Sequence, residues 1–575
     1  MRNPLERREA LDRRFPAWRA LTISQALDAA TVEFPDRALV ITDERAYSYR
    51  DIQSWSRDLG AGLIARGIKA GDHVAVILAN FAEYVAVKYA IARIGAVAVS
   101  VNYLLLRQEI RYILAQSDSV ALITMDRLRN RNYLEDLDSM APGWASRGGA
   151  DGLPKLRAVF VYPVEGERRD GITDLEQLAA LATAGDRAEL ARREAAGDPD
   201  SRADIIYTSG TTGLPKGVML SHEMILRAAY SSAYHRAFED GRRILFALPM
   251  YHVFGYVECL VACTFAGGAI IPQVVFDAHH MVDAAERHAA SEIVCVPTMT
   301  LKILDVVRAR GFNCPSLICM FNSGGTSPPS IWQEIRDLLG AQEVLTAYGM
   351  TETTASVTCT LPEGPDALLL SSNGRLKLAG VAGDPDRGGL IARYKTVDPA
   401  TGQDLPPGLP GELMAKGLVV TAGYYNKPEE TKAAFDAGGW LHSGDLGIIN
   451  RDGYLALTGR LKETYRCGGE MVSPKEIEDL LNGHPLVAQA LVVGLPDARM
   501  GEVGCACIVP AGDVRPDPQE LIALCAGRLA RFKVPRHVVF MTEREVPLTA
   551  TGRPQKFRLA DIARQRVASA LQAAG

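Results

Sequence analysis

Short runs of consecutive apolar residues alternate with stretches of helical spacing over the first three quarters of the chain. HVAVILA (73–79) is apolar almost throughout, as a strand covered on both faces must be. EYVAVKYAIARIG follows with helical periodicity and ends on Gly95, and AVAVSVN then reads as the next strand. The alternation recurs at VALITM (120–125), RAVFVYP (157–163), ADIIYTS (203–209), EIVCVP (292–297) and SLICMFNSGG (316–325). Strand–helix alternation of this kind predicts layered α/β architecture with mostly parallel sheets. An Ala- and charge-rich segment near 178–202 reads as a solvated helix and connector.

Beyond about residue 460 the texture changes. SPKEIEDLL predicts a helix opened by a capping box, with Ser473 at the N-cap, Pro474 at the first position and Glu476 three residues on. Strands QALVVGLP and GCACIVP and a helix over 517–530 complete a compact α+β unit. The expected organisation is a large N-terminal α/β domain, 1–460, and a small C-terminal α+β domain, 461–575. The break falls at Gly459–Arg460–Leu461–Lys462.

Composition narrows the function classes. The 63 Lys and Arg stand against 68 Asp and Glu, a net charge of −5 with no basic block, which argues against a nucleic-acid partner. The longest mostly apolar stretch, Tyr256 to Ile271, is broken by Glu258, Thr264 and Gly267–Gly268. That is too short and interrupted for an integral membrane segment. Ten scattered cysteines show neither a disulfide framework nor metal-ligand spacing and read as small buried hydrophobes. The Arg-rich first residues carry Glu6, Glu9 and Asp12 with no apolar core after them, so a soluble, cytoplasmic protein is expected.

The chemistry concentrates in YTSGTTGLPKGV, Tyr207 to Val218. Gly210 and Gly213 let the backbone turn its N–H groups inward. Thr208, Ser209, Thr211 and Thr212 add hydroxyl donors, and Lys216 adds a point charge. Such a loop cradles a polyphosphate. It is not a Walker loop, because Gly217 rather than Ser or Thr follows the lysine.

With LPMYHVFG (248–255), NSGGTSPPS (322–330), AYGMTET (347–353), WLHSGDLG (440–447), DGYLALTGRLKE (452–463) and GGEMVSPKEIE (468–478) in the same order, the chain resembles the acyl/aryl adenylate-forming superfamily of AMP-dependent synthetases and ligases. The resemblance implies ATP, Mg²⁺ and CoA as cofactors. It makes Glu352 the Mg²⁺ ligand and places Thr351 on the α-phosphate. Ala347, Tyr348 and Gly349 lie along the adenine and acid pocket, and Gly324, Gly325 and Thr326 form the turn under the adenine. Asp445 and Arg460 hold the ribose, and His252 gates the acid channel. Lys462 is the hinge about which the small domain swings, and Gly468–Gly469 line the pantetheine tunnel.

One position departs from the pattern. Where the family carries Thr-Gly-Lys near the C-terminus, this chain reads LTATGRPQKFRL, with Arg553 in the lysine's place and Lys556 three residues on. Arginine keeps the charge and can bridge two oxygens, so Arg553 is the favoured substitute and Lys556 the alternative. The expected activity joins a fatty or aryl carboxylic acid to CoA through an acyl-adenylate. An amine or carrier-protein acceptor and a non-catalytic nucleotide-binding homologue are the other readings. Pocket walls are expected from 252–256, 296–300, 322–325 and 347–355, whose small and apolar residues suit an apolar acid. A homodimer is compatible with all of these.

Overall fold

Two seven-stranded sheets form the large part of the molecule. The computed structural model describes residues 3–147, 149, 152–166, 169, 171–208, 214–325, 327–512, 514–548 and 554–574. In one sheet the strands run Glu343–Leu345, Cys319–Asn322, Glu292–Cys295, Arg243–Phe246, Ala269–Pro272, Ala38–Ile41 and Ala46–Ser48, parallel except for the last pair. In the other they run Lys216–Ser221, Arg202–Thr208, Val97–Ser100, His73–Ile77, Ala121–Met125, Ala158–Tyr162 and Thr173–Asp174, parallel except for the first pair. Each of the seven strand-like runs singled out between residues 73 and 325 supplies a strand of one of these sheets. The helix Ala82–Arg93 is buried on nearly every side, as a helix enclosed between layers must be.

From Ala347 to Arg460 the architecture departs from the parallel expectation. A three-stranded antiparallel sheet (Ala347–Met350, Ala355–Cys359, Arg375–Leu376) is followed by a four-stranded one (Ala392–Val397, Gly411–Gly417, Leu441–Ile449, Leu455–Arg460). These strands are half-buried and polar in places, so they leave no apolar run. The Tyr256–Ile271 stretch becomes a π-helical turn (Tyr256–Val261), a short helix (Ala262–Thr264) and a strand of the first sheet from Ala269. Among the described residues no helix is long and apolar enough to cross a membrane. All ten cysteines are free and buried.

The segment near 178–202 is not merely solvated. Its helix Ala184–Ala195 buries Leu190, and Glu194 joins Asp28 in pairing with the fully buried Arg93 guanidinium. One leucine and one glutamate in a polar run were too weak a pattern to reveal that contact.

After residue 460 a five-stranded sheet is flanked by helices Pro474–Asn482, Pro518–Ala526 and Lys556–Ala574. Leu491, Val493 and Leu495 enter one apolar cluster, while Ala490 and Val492 enter another, so the strand Val487–Asp497 is covered on both faces with period two. Among the described residues no apolar cluster mixes core residues from before 460 with residues after it. The capping box at Ser473 does not form: its hydroxyl donates to the Thr458 carbonyl, on the strand Leu455–Arg460, instead of capping the helix. The expected helix over 517–530 stops at Ala526, before Gly527.

Candidate active site

Thr208 and Lys216 face each other as the last and first paired residues of an antiparallel hairpin, so the phosphate-type loop is the hairpin's tip. Ser209, Gly210, Thr211, Thr212 and Gly213 lie outside the described residues. The stem is fixed from below, where Lys88 pairs with Asp204 deep in the core. The segment 421–425 laces the stem to its surroundings. Met219 N–H donates to the Gly423 carbonyl (3.2 Å), Tyr425 N–H to Gly217 (2.8 Å) and Thr421 N–H to Glu352 (2.8 Å). The Lys216 ammonium sits 4.6 Å from the centre of the Tyr424 ring.

Glu352 lies in the single 3₁₀ turn Thr351–Thr353 that ends the strand Ala347–Met350. The turn leads into Thr354 at φ +62° and Ala355 at φ +149°, two non-glycine residues in sparsely populated backbone regions. Gly349 permits this, since a Cβ there would come 2.0 Å from the Ala355 carbonyl oxygen. The Glu352 carboxylate is buried and accepts from the Tyr424 hydroxyl at 3.0 Å. Burial pushes its pKa up, against the pull of its own backbone N–H, of Tyr424 and of Lys216. Among the described residues no salt bridge reaches it. A buried carboxylate so weakly compensated fits a hard divalent cation, for which an oxygen ligand is suited.

Asp445 and Arg460 are cross-strand partners, with Arg460 Nε 3.0 Å from Asp445 Oδ1. The Tyr348 hydroxyl donates to Asp445 Oδ2 at 2.8 Å, and Asp445 N–H donates to Ser443 Oγ at 3.1 Å. The Asp445 charge raises the pKa of Arg460. Each carboxylate oxygen keeps a second lone pair, enough to accept both hydroxyls of a vicinal diol. Three residues from separate sequence motifs thus converge on one point.

Gly324, at φ +89°, ends the strand Cys319–Asn322; a Cβ there would lie 3.3 Å from Val296 Cγ1 and 3.8 Å from Phe254 Cε1. Gly325 faces the Pro297 ring in the same way, at 3.3 Å. Ser323 Oγ donates to the Ala347 carbonyl (2.7 Å), tying this turn to the strand that carries Tyr348 and Gly349. Thr326 lies outside the described residues. His252 caps the short helix Val253–Gly255, its Nδ1 accepting from Phe254 N–H at 3.3 Å, so a neutral ring carries its proton on Nε2. The segments expected to wall the acid pocket therefore meet through Phe254, Val296 and Gly324.

Lys462 is the middle residue of the turn Leu461–Glu463. Gly468 (φ +61°) and Gly469 (φ +90°) form the two-residue tip of the hairpin between Tyr465–Cys467 and Glu470–Val472. Arg553 lies outside the described residues. Lys556 is half-buried between Glu463 (3.1 Å) and Glu478 (2.7 Å). Burial works to lower its pKa, but the two carboxylates outweigh it and raise it. Its charge is committed within the small unit, which weakens it as the substitute for the expected lysine.

Sequence reasoning missed Tyr424, the donor to Glu352 and the ring beneath Lys216. A tyrosine in a Gly–Tyr–Tyr–Asn loop has no spacing that marks it. It also missed Glu412, which accepts from Gly444 N–H (3.1 Å) and lies 3.0 Å from His442 Nδ1, shaping the turn before Asp445.

The chain is similar to proteins of one kind. A putative acyl-CoA synthetase, YngI, of Bacillus subtilis (strain 168) is 34% identical over 544 residues, covering 94% of this chain and 96% of that protein. The mitochondrial medium-chain acyl-CoA ligase ACSF2 of Danio rerio is 30% identical over 554 residues, covering 94% and 88%. The solved structure of o-succinylbenzoate CoA synthetase (MenE) from Bacillus subtilis, in complex with the acyl-adenylate intermediate OSB-AMP, matches with a TM-score of 0.75 and 25% identity, over 93% of this chain and 97% of that one. The family model for AMP-binding enzymes matches residues 27–425, and that for the C-terminal domain of AMP-binding enzymes matches 476–553. With both models matched in order, the first over more than half of its length, the chain belongs to the AMP-binding enzyme family.

Proposed function

We propose that the chain is an ATP-dependent carboxylate–CoA ligase acting on an apolar or aryl acid. The observation that carries this reading is that Lys216 and Glu352 meet through Tyr424, while Tyr348, on the strand that runs into the Glu352 turn, joins the Asp445–Arg460 pair.

A carboxylate resists attack at its carbonyl carbon because it is already anionic. In the first step its oxygen attacks the α-phosphorus of ATP and pyrophosphate leaves, giving a mixed anhydride. Backbone N–H groups and hydroxyls of Thr208–Gly213, with Lys216, hold the phosphates. Thr351 donates to the α-phosphate, and Asp445 accepts from both ribose hydroxyls while Arg460 holds Asp445 in place. Ala347, Tyr348, Gly349, Gly325 and Thr326 bound the adenine. Glu352 would hold a magnesium ion, which supplies charge neutralisation for the departing pyrophosphate. His252 stands at the acid's entry, and Arg553 bridges the acid and phosphate oxygens.

In the second step the CoA thiol attacks the acyl carbon and AMP leaves. The large domain, 1–460, binds ATP and acid; the small domain, 461–575, turns about Lys462 and brings Gly468–Gly469 to the pantetheine arm. The separation of apolar clusters at residue 460 supports that division. Phe254, Val296 and the side-chain-free Gly324 support an apolar acid.

A panel of fatty and aryl acids tests the proposal. Acid-dependent pyrophosphate release, followed by AMP release that requires CoA, is expected. Failure of every acid in the panel to release pyrophosphate overturns the adenylation step, and AMP release indifferent to CoA overturns the thiol acceptor.

A further inference from the structure

Glu258, which interrupts an otherwise apolar stretch, is 1% exposed and sits in the π-helical turn Tyr256–Val261, six residues after His252. Its carboxylate accepts from Ser232 Oγ, from both the backbone N–H (2.9 Å) and Oγ of Ser356, and from Lys377 Nζ at 2.9 and 3.1 Å. Arg236 donates to the Glu258 backbone carbonyl and lies 3.9 Å from Oε2. Lys377, Arg236 and Ser232 are themselves buried. Burial alone would raise the pKa of Glu258, but Lys377, Arg236 and the two serines bring it down to about 2.

A buried ion pair is no better for stability than a well-packed apolar pair; what it adds is a fixed orientation. Here the orientation concerns two particular segments. Ser356 is the register partner of Gly349, on the strand that returns from the Thr351–Thr353 turn. Lys377 N–H donates to Val357 on that same strand (2.9 Å). Glu258 itself belongs to the turn that continues from His252 and Phe254. The carboxylate therefore joins the turn that continues the 252–256 wall to Ser356, the residue that follows the 347–355 wall, and none of its partners belongs to the Tyr348–Asp445–Arg460 cluster.

We propose that Glu258, paired with Lys377, is a positioning residue for the carboxylic acid: it fixes the spacing between the His252–Tyr256 wall and the Gly349–Ser356 wall of the acid pocket. The proposal rests on the ligase reading, because that reading makes these segments the pocket. Glu258 touches no reacting atom; it acts through Ser356 and through its own turn.

Three variants test it in the pyrophosphate-release assay, with KM for acid and for ATP measured separately and Tm recorded. Glu258→Gln removes the charge but keeps the size, and is expected to raise the acid KM roughly 10-fold while leaving the ATP KM within about twofold. The double variant Glu258→Met with Lys377→Met removes both charges; it is expected to recover the Tm lost by Glu258→Gln while the acid KM stays high. Ser232→Ala, outside both walls, removes one donor and is expected to raise the acid KM less, in the same direction. If Glu258→Gln fails to fold, the other two carry the test. An unchanged acid KM, an acid KM restored together with Tm, or acid and ATP KM rising in parallel would each overturn it in favour of a purely structural role. Wild-type protein that releases no pyrophosphate with any acid would instead remove the ligase reading, and with it the pocket.

Discussion

Glu352→Gln should make the protein more stable and nearly inactive. Glutamine keeps the carbonyl oxygen that accepts the Tyr424 hydroxyl at 3.0 Å, so the turn Thr351–Thr353 is left intact. The wild-type carboxylate is buried, and burial is the largest influence on it, raising its pKa above the ordinary 4.5. A carboxylate raised in the folded state costs nothing below about pH 4.5, where it is protonated in both states. As pH rises past that value the unfolded chain releases its proton first, so folding loses free energy until the folded group ionises too. The glutamine variant escapes that loss. Its advantage at pH 7.5 should be roughly 1–3 kcal/mol, the scale on which an under-compensated buried polar group costs stability. The same change removes the oxygen charge offered to the divalent cation and should lower acyl-AMP formation by about 10²–10³, the scale of losing one preorganised electrostatic partner. Thermal unfolding at pH 5 and pH 7.5, with and without Mg-ATP, measures the first half, and acid-dependent pyrophosphate release the second. The expected pattern is a variant Tm above wild type at pH 7.5, a smaller gap at pH 5, and a weaker upward shift by Mg-ATP in the variant. A variant less stable than wild type at pH 7.5, or one within twofold of wild-type activity, would refute the reasoning.

Four further expectations follow from the same geometry. Lys556→Met leaves Glu463 and Glu478 facing each other in a half-buried site without their shared cation and should destabilise the small unit by roughly 1–3 kcal/mol, read by urea unfolding. Arg553→Ala should leave that stability unchanged and lower acyl-AMP formation far more than thioester formation from supplied acyl-AMP; equal losses in both half-reactions would count against Arg553. Asp445→Ala should raise the ATP KM, and the variant should no longer distinguish ATP from its 2′,3′-dideoxy analogue, whereas wild type should; a variant that still discriminates places the diol elsewhere. Gly324→Ala, at φ +89° and 3.3 Å from Val296, should lose about 1–2 kcal/mol of stability by thermal melting and raise the ATP KM.

Much of the fold was legible because strands buried on both faces must be continuous apolar runs, and seven such runs could be read directly. The site was legible where chemistry demands an unusual composition: the Gly- and Thr-rich loop closed by Lys216, and the Tyr–Gly–Met–Thr–Glu turn. The half-buried antiparallel strands between Ala347 and Arg460 carry no such run, since one face of each may be polar. Ser473 had the composition of a cap, yet the Thr458 carbonyl took its hydroxyl, a partner fifteen residues away that local pattern does not reveal. Tyr424 and Glu258 were opaque for a related reason. Tyr424 meets Glu352 across 72 residues, and Glu258 meets Lys377 across 119, so the sequence shows only a loop tyrosine and a break in an apolar stretch.

The partition of the apolar clusters at residue 460 has a consequence for the proposed turning of the small domain about Lys462. Each side keeps its own oil, so a rotation at Leu461–Glu463 would strip no core and expose little beyond polar contacts such as Ser473 to Thr458. Rotation then draws on hydrogen bonds that water replaces at small cost, rather than on hydrophobic burial that water cannot replace. The two parts would also behave as separate cooperative units in amide exchange, the sheet around Val487–Asp497 keeping its protection while the turn beside Lys462 exchanges freely.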